Sequence, residues 1–404
     1  METRKPARNL RIGIVTDGLE ERVVDGEVRI ANGGVGVYIY QLIKHLLAVE
    51  DSGEFVLMRY GQGCLDIYRH PRVRAVFFAT GRGTAFGQVF DRDHRKVARE
   101  FALDIIHYPN QFGGIFLPRS IRRVVTLHDL TPLLFPSMHP RIRVLAHKLA
   151  ARLALRRADR IMVDSDHTGK DLIAFQPDCA NRVVTVYPGV GAAHSPGGRD
   201  PSFLVRKGLP RPYILTVGVL EPRKNHALLL TALGQLVASG HDLDLVIIGR
   251  QGWHWVDPRT RSEFQSLTGR VRILEDVADH EMVEYYRHAA AFAYPSWYEG
   301  FGLPVLEAMA CGAPVVCSNT SSLPEAGGTA ALYADPHDPA AFAAQLARVL
   351  RDNELRGRMV ASGLRRARQL SWRRTALAVL EVYRSAASTA RGSSGLPRSG
   401  DVQA

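Results

Sequence analysis

The residues best suited to chemistry in this chain are two glutamates, Glu299 and Glu307, separated by seven residues. The first stands in a glycine loop, Glu299-Gly300-Phe301-Gly302. The second falls inside a short helix predicted over Leu303 to Cys311. Pro304 suits a first helical turn, where a missing N–H costs nothing. Gly312 suits the left-handed residue that ends a helix. Such a helix start aims unpaired N–H groups and a positive dipole end at whatever the loop encloses. An anion site flanked by two carboxylates fits a ligand with a phosphate and hydroxyls at both ends. A nucleotide sugar is such a ligand. Gly, Pro and Glu at a strand–helix junction also serve packing alone in many α/β proteins, so the whole string Pro295 to Glu325 carries the reading.

Other groups point the same way. In Gly218-Val219-Leu220-Glu221-Pro222-Arg223-Lys224-Asn225, directly after a predicted strand, Arg223 and Lys224 form a cationic clamp for a diphosphate, and Asn225 is a candidate helix N-cap. Departure of a nucleoside diphosphate builds negative charge, which two fixed cations stabilise without a metal. The bland alternative is a solvated Arg-Lys turn. Thr126-Leu127-His128-Asp129 ends another strand, where α/β proteins bind ligands. His128 there contacts a sugar hydroxyl or positions an acceptor, with Asp129 orienting it or helping the acceptor; a purely structural histidine is the alternative. Gly33 and Gly34 join a strand to a helix without the GxGxxG spacing of a dinucleotide site. Gly249-Arg250 follows the strand-like run LVIIG and is placed near the nucleotide. Ser165 precedes a helix and is equally a simple cap. The Asp-x-Asp pairs at Asp91/Asp93, Asp164/Asp166 and Asp242/Asp244 read as chance matches. No metal and no other cofactor is expected.

These residues need a scaffold that carries strand ends to one place. Strand-like runs alternate with helical ones: Leu10–Thr16, Phe55–Arg59, Val73–Phe78, Asp104–Tyr108, Arg123–Leu127, Arg160–Asp164 and Val183–Val186 in the first half. After a Gly/Pro-rich stretch the alternation restarts with Tyr213–Val219, Leu243–Ile248, Val271–Leu274, Ala291–Tyr294 and Pro314–Cys317. This pattern predicts two doubly wound, mostly parallel sheets. The expected organisation is a Rossmann-like domain over 1–190, a linker over 191–212, a second Rossmann-like domain over 213–370, a helix over 371–385 and a disordered tail over 386–404. A helix is also expected near Arg259–Leu267, and Asp17 to Ala31 reads as a loop or hairpin.

Length and composition bound the rest. At 404 residues two domains are expected, since single cores stop growing near ~250–300 residues. Four scattered cysteines lack metal-ligand spacing, no secretory signal is visible, and no run approaches a membrane span, so the expected setting is cytoplasmic. The formal charge is +12. No nucleic-acid motif accompanies it, which leaves anionic substrates, an anionic membrane surface on the inner face of the membrane, or a coding bias toward arginine.

The string Glu299 to Val315 (EGFGLPVLEAMACGAPV) resembles the signature of retaining glycosyltransferases of family 4, group 1, and the likeness extends to Gly218–Asn225. It implies a GT-B fold, α/β with two Rossmann-like domains facing a cleft, the second domain holding the nucleotide sugar and the first the acceptor. On that resemblance Glu299 binds the donor sugar, Glu307 the ribose, and backbone N–H groups of Phe301, Gly302 and Leu303 the phosphate or sugar. Arg223 and Lys224 hold the diphosphate, Gly218 and Gly249 lie near it, and Val277 offers backbone bonds to the base. Gly33 and Gly34 floor the cleft, His128 faces the donor sugar, and Ser165 lines the cleft. Val219 departs from the pattern, standing where many relatives have arginine. The implied reaction is hexose transfer to a glycan or lipid-linked acceptor, with mannose from GDP-mannose favoured over UDP-sugars. An epimerase or phosphorylase on the same fold, and an inactive basic surface-binding protein, are the rival readings.

Overall fold

A computed structural model describes residues 10–24, 27–30, 33–50, 53–79, 92–110, 113–136, 141–252 and 255–388. The apolar runs form the strands their composition predicts, and they form two separate sheets. The first holds β1 (Ile12–Val15), β4 (Phe55–Tyr60), β5 (Val73–Phe78), β6 (Ile105–Tyr108), β7 (Arg122–Leu127), β8 (Arg160–Val163) and β9 (Val183–Thr185), in the order β5-β4-β1-β6-β7-β8-β9. Every pairing in it is parallel. The polar stretch after β1 folds into an antiparallel hairpin, β2 (Glu21–Val24) and β3 (Glu27–Ile30).

The second sheet is also all parallel, in the order β12-β11-β10-β13-β14-β15. Its strands are β10 (Tyr213–Val217), β11 (Asp244–Ile248), β12 (Val271–Leu274), β13 (Ala291–Tyr294), β14 (Val315–Ser318) and β15 (Ala331–Ala334). Chain order reverses at β10, which pairs with both β11 and β13. Beyond the carboxyl ends of such strands lies the crevice where open α/β sheets bind ligands. Gly218 follows β10 directly, and Pro295 to Gly302 follows β13. The two strongest sequence motifs are therefore neighbours in space because of the strand order.

The final helix, Trp372–Ser388, returns to the first domain. Trp372, Val379 and Tyr383 join the core of β1, β4 and the helix Gly33–Val49. Tyr383 Oη lies 2.8 Å from His107 Nδ1 on β6. The helix outruns its expected end at 385: Ala386 is fully buried in that same core, so the apolar face continues to Ser388. Residues 389–404 of the expected tail lie outside the described residues. Within the stretch expected as a linker, Phe203–Arg206 forms one helical turn, and Phe203 packs edge-on against Tyr285 at 4.9 Å. Its apolar residues Phe203 and Leu209 belong to the second core. Instead of an α-helix near Arg259–Leu267, the chain makes 3-10 turns over Pro258–Thr260 and Ser262–Arg270.

Candidate functional site

The loop after β13 is held at both ends. Glu299 N–H donates to Ser321 Oγ at 3.0 Å, and Ser322 Oγ donates to the Glu299 carbonyl at 2.8 Å. Gly302 then takes a φ of 102°, a left-handed conformation open to glycine, and sits at the N-cap of the helix Leu303–Ala310. Pro304 lies in the first turn of that helix. Phe301 is buried against Tyr187, their rings 5.8 Å apart.

The Glu299 carboxylate is the centre of a buried ionic cluster. Lys224 Nζ donates to Glu299 Oε1 at 2.6 Å and to Tyr294 Oη at 2.7 Å. Arg223 Nη1 lies 2.9 Å from Glu299 Oε2. Arg223 also donates to Glu221 Oε1 through Nε at 3.0 Å and through Nη2 at 2.5 Å, and to the Tyr298 carbonyl. The cluster thus pairs two cations with two carboxylates. Burial alone would raise the Glu299 carboxyl, but Arg223 and Lys224 beside it bring it down to about 2. Burial, with Arg223 adjacent, lowers the Lys224 ammonium. An ammonium has three donors, and two are engaged here, so one is left for a ligand.

The cluster adjoins a cleft of about 230 Å³ lined by Gly218, Gly249, Arg250 and Val277 of the second domain and by Arg22 and Gly33 of the first. A Cβ built at Gly218 would stand 3.4 Å from Lys224 Cε, which puts the lysine at the cleft's edge. Val217 pairs with Ile248, so the glycines that follow lie side by side. Arg22 forms an ion pair with Asp276 across the cleft mouth at 3.6 Å. Glu307 Oε2 accepts the Tyr286 hydroxyl at 2.8 Å. Tyr286 is on the helix Asp279–His288, one turn from the cleft-lining Met282. Gly34 is exposed, with nothing within 4 Å of its Cβ position.

Across the cleft the histidine has a different setting from the expected one. His128 Nδ1 lies 2.7 Å from Asp164 Oδ2, and Nε2 lies 2.7 Å from the Pro109 carbonyl. Both nitrogens face acceptors, so neither is turned to a sugar in this arrangement. Burial would lower the ring's pKa, but the charge and hydrogen bond of Asp164 raise it overall. The orienting carboxylate is Asp164, set aside in the sequence as part of a chance Asp-x-Asp, and not Asp129. Asp129 accepts the Thr131 N–H at 3.0 Å. Ser165 does two things at once: it accepts the Thr168 N–H as a helix cap and donates to the Gly300 carbonyl of the other domain at 2.7 Å. Asn225 occupies the N-cap position of the helix His226–Ala238 but does not cap it. Its side-chain amide donates to the carbonyls of Pro295 and Pro336, tying three loops together.

Two partners were not evident from sequence. Glu221 lies inside the quoted motif, but a Glu two residues before an Arg gives no sign that they pair until the turn over Pro222–Lys224 folds them together. Glu325 accepts N–H groups of the other domain, a contact that only the tertiary fold creates. Among the described residues no group of three or more His, Cys, Asp or Glu side chains could hold a metal ion.

Comparison with known proteins fits this geometry. Residues 204–366 match the family described as glycosyl transferases group 1, and residues 32–193 match glycosyltransferase family 4. The O-antigen chain mannosyltransferase B of Escherichia coli is 32% identical over 377 residues, covering 87% of this chain and 96% of the relative. Among solved structures, sucrose-phosphate synthase from Thermosynechococcus elongatus superposes with a TM-score of 0.71 at 21% identity, covering 93% of this chain and 99% of the other. The Anabaena protein HepE, solved with UDP-glucose, superposes with a TM-score of 0.68 at 18% identity, covering 93% and 100%.

Proposed function

The chain belongs to the group 1, family 4 glycosyltransferases of GT-B fold, and from that membership we propose that it moves mannose from GDP-mannose to a glycan or lipid-linked acceptor with retention of configuration. The observation that carries the site assignment is the Lys224–Glu299 contact at the edge of the interdomain cleft. In this reading the spare donor of Lys224 and the guanidinium of Arg223 hold the donor diphosphate, while Glu299 takes sugar hydroxyls. Glu307 takes the ribose hydroxyls, and Gly249 and Val277 border the base. In this reading no metal is needed, because Arg223 and Lys224 would stabilise the charge that develops on the leaving group.

Retention is carried over from the family likeness, and the state of Glu299 bears only on its route. A carboxylate held near pKa 2 and engaged by two cations is a poor nucleophile. The reading is therefore attack from the donor's own face. The acceptor oxygen forms a bond to the anomeric carbon as the bond to the β-phosphate oxygen breaks. The acceptor proton passes to that leaving oxygen, and no covalent sugar–enzyme intermediate forms. Mannose is favoured by the E. coli relative, which aligns over nearly its full length. A UDP-sugar donor is the second reading, prompted by the UDP-glucose held in the Anabaena neighbour. A donor panel tests both: GDP-mannose should be hydrolysed or transferred in preference to UDP-glucose, and NMR of the product should show the donor's anomeric configuration. Preference for UDP-glucose would sink the mannose assignment, and an inverted product would sink retention.

A further inference from the structure

The buried cluster at the edge of the cleft is electrically balanced. Arg223 and Lys224 face Glu221 and Glu299, so two cations meet two carboxylates and no net charge is left over. The diphosphate of a nucleotide sugar is doubly ionised, and departure of the leaving group adds to that charge. A balanced cluster offers it hydrogen-bond donors but little net field. The position after the strand glycine, arginine in many relatives, is Val219 here. Val219 lines the cleft and is 37% exposed, and it brings no charge.

Another arginine reaches the same wall. Val217 pairs with Ile248 in the parallel ladder of β10 and β11, and the isolated bridge from Leu220 to Gln251 keeps the same register. Val219 and Arg250 therefore stand opposite one another. The Leu220 N–H donates to the Arg250 carbonyl and the Gly252 N–H to the Leu220 carbonyl, both at 2.8 Å, so the two loops are zipped together. Their approach needs Gly249, where a Cβ would stand 1.8 Å from the Gly218 carbonyl oxygen. Arg250 lines the cleft and is half-buried there. Its guanidinium forms no hydrogen bond or ion pair with any described residue. The other charges of the wall are placed. Arg22 pairs with Asp276, and Asp279 sits in the first turn of its helix, where the dipole suits a carboxylate.

A guanidinium is a donor-only group with no acceptor of its own, and an anion is its natural partner. We propose that Arg250 is a further donor-binding residue, holding diphosphate oxygens in place of the arginine missing at 219. The proposal rests on the reading of a nucleoside-diphosphate sugar in this cleft. It is indifferent to the base, because GDP and UDP carry the same diphosphate. Arginine suits the task from the neighbouring strand. Its long side chain covers the adjacent position, and its planar fork matches phosphate oxygens in pairs, which a lysine's point charge does not. Stacking on the base is the competing role for a guanidinium. That role would leave the salt dependence of binding unchanged, whereas pairing with phosphate contributes to it.

Calorimetric titration of the full chain with GDP and with UDP tests the proposal. Arg250→Ala should weaken whichever diphosphate the wild type binds by roughly 10–100-fold. It should keep the wild-type melting temperature, and its affinity should depend less on salt than that of the wild type. Arg250→Lys should recover part of the loss. Val219→Arg added to Arg250→Ala should recover most of it, because the two positions face the same oxygens. A loss that neither substitution repairs overturns the proposal by making Arg250 a support for the loop. A loss with the wild-type salt dependence overturns it by assigning the guanidinium to the base. Wild-type protein that binds neither GDP nor UDP removes the donor reading and this one together. Binding by the wild type that Arg250→Ala leaves intact removes only this one.

Discussion

The Glu325 carboxylate accepts the backbone N–H of Asp166 at 2.7 Å, and this hydrogen bond crosses from one domain to the other. Its second oxygen accepts the N–H of His167, also at 2.7 Å. The N-terminus of the helix Asp166–Phe175 is thus capped by a carboxylate 159 residues away in sequence. Tyr187 Oη adds a bond to the same carboxylate at 3.2 Å. Close by, Ser165 and Thr168 donate to the Gly300 carbonyl, and Tyr298 donates to Asp171 at 2.8 Å. These contacts hold the domains together on one side of the cleft, and the Arg22–Asp276 ion pair spans its mouth on the side lined by Gly33 and Gly218.

Glu325→Gln keeps the size of the side chain and removes its charge. Hydrogen bonds to a charged group contribute roughly 1.5–3 kcal/mol each, so the closed arrangement should lose part of its advantage. Small-angle scattering should show a larger radius of gyration for the variant without donor, and transfer should fall about tenfold with little change in melting temperature. Identical scattering curves would remove Glu325 from domain closure.

Gly300→Ala should be more damaging than its size suggests. A Cβ there would stand 1.9 Å from the His128 carbonyl oxygen, a backbone atom of the other domain that cannot rotate away. The domains must separate to admit it. A displacement of ~1 Å at a reacting centre costs on the order of 100-fold, so activity should fall by about that much while donor affinity of the second domain falls far less. Equal losses in both would point to local collapse of the glycine loop instead.

Lys224→Met should fail in two separable ways. It leaves Glu299 with one cation instead of two in a buried site, and breaking a buried pair costs roughly 3–5 kcal/mol. Adding Glu299→Gln removes the stranded charge, so the double variant should recover melting temperature but not transfer. Recovery of both would make the pair structural and not catalytic. Glu307→Ala, which removes only the partner of Tyr286, should weaken donor binding with the fold intact. Wild-type transfer should persist in excess EDTA if the cations do the work of a metal.

Much of this arrangement was readable from sequence, for a physical reason. Alternating apolar runs and helical periods specify the two sheets, since each run must be buried on both faces. Glycine and proline mark the loop between Tyr294 and Leu303 because they solve backbone problems that can be read locally. Pairings between distant side chains are not local. Nothing around Asp164 says that His128 is its partner 36 residues away, and nothing near Glu325 says that it caps another domain's helix. The arginine-rich run from Arg141 to Arg157 was visible as charge, but the exposure of Leu145, Leu149 and Leu153 on it was not. A leucine spacing of four is what a core-facing helix also shows, and only the packed structure separates the two faces.

Acid should weaken the joint between the last helix and the first domain. His107 lies between two hydroxyls, Tyr383 Oη and Thr126 Oγ1, each 2.8 Å away. Burial, with His128 close by, lowers its pKa from 6.5 to about 3. His226, buried beside Lys224, is lowered to about 4. Both pKa values are depressed, so below 6.5 the unfolded chain binds protons that the folded chain refuses. The stability they contribute is fully present above 6.5 and is lost as pH falls, through about 4 for His226 and about 3 for His107. Each group adds a slope of up to roughly 1.4 kcal/mol per pH unit in its window. Glu299 adds its own loss between 4.5 and about 2. His128 has the opposite sign, because its pKa is raised: its contribution is full below 6.5 and fades as pH rises through the folded value. Urea titrations between pH 7 and pH 4 should therefore show a falling midpoint. His107→Gln keeps a donor and an acceptor between the hydroxyls but cannot take a proton. Its midpoint should start lower at pH 7 and fall less steeply than that of the wild type. A variant that loses stability with the wild-type slope would show that proton uptake at His107 does not govern the acid transition.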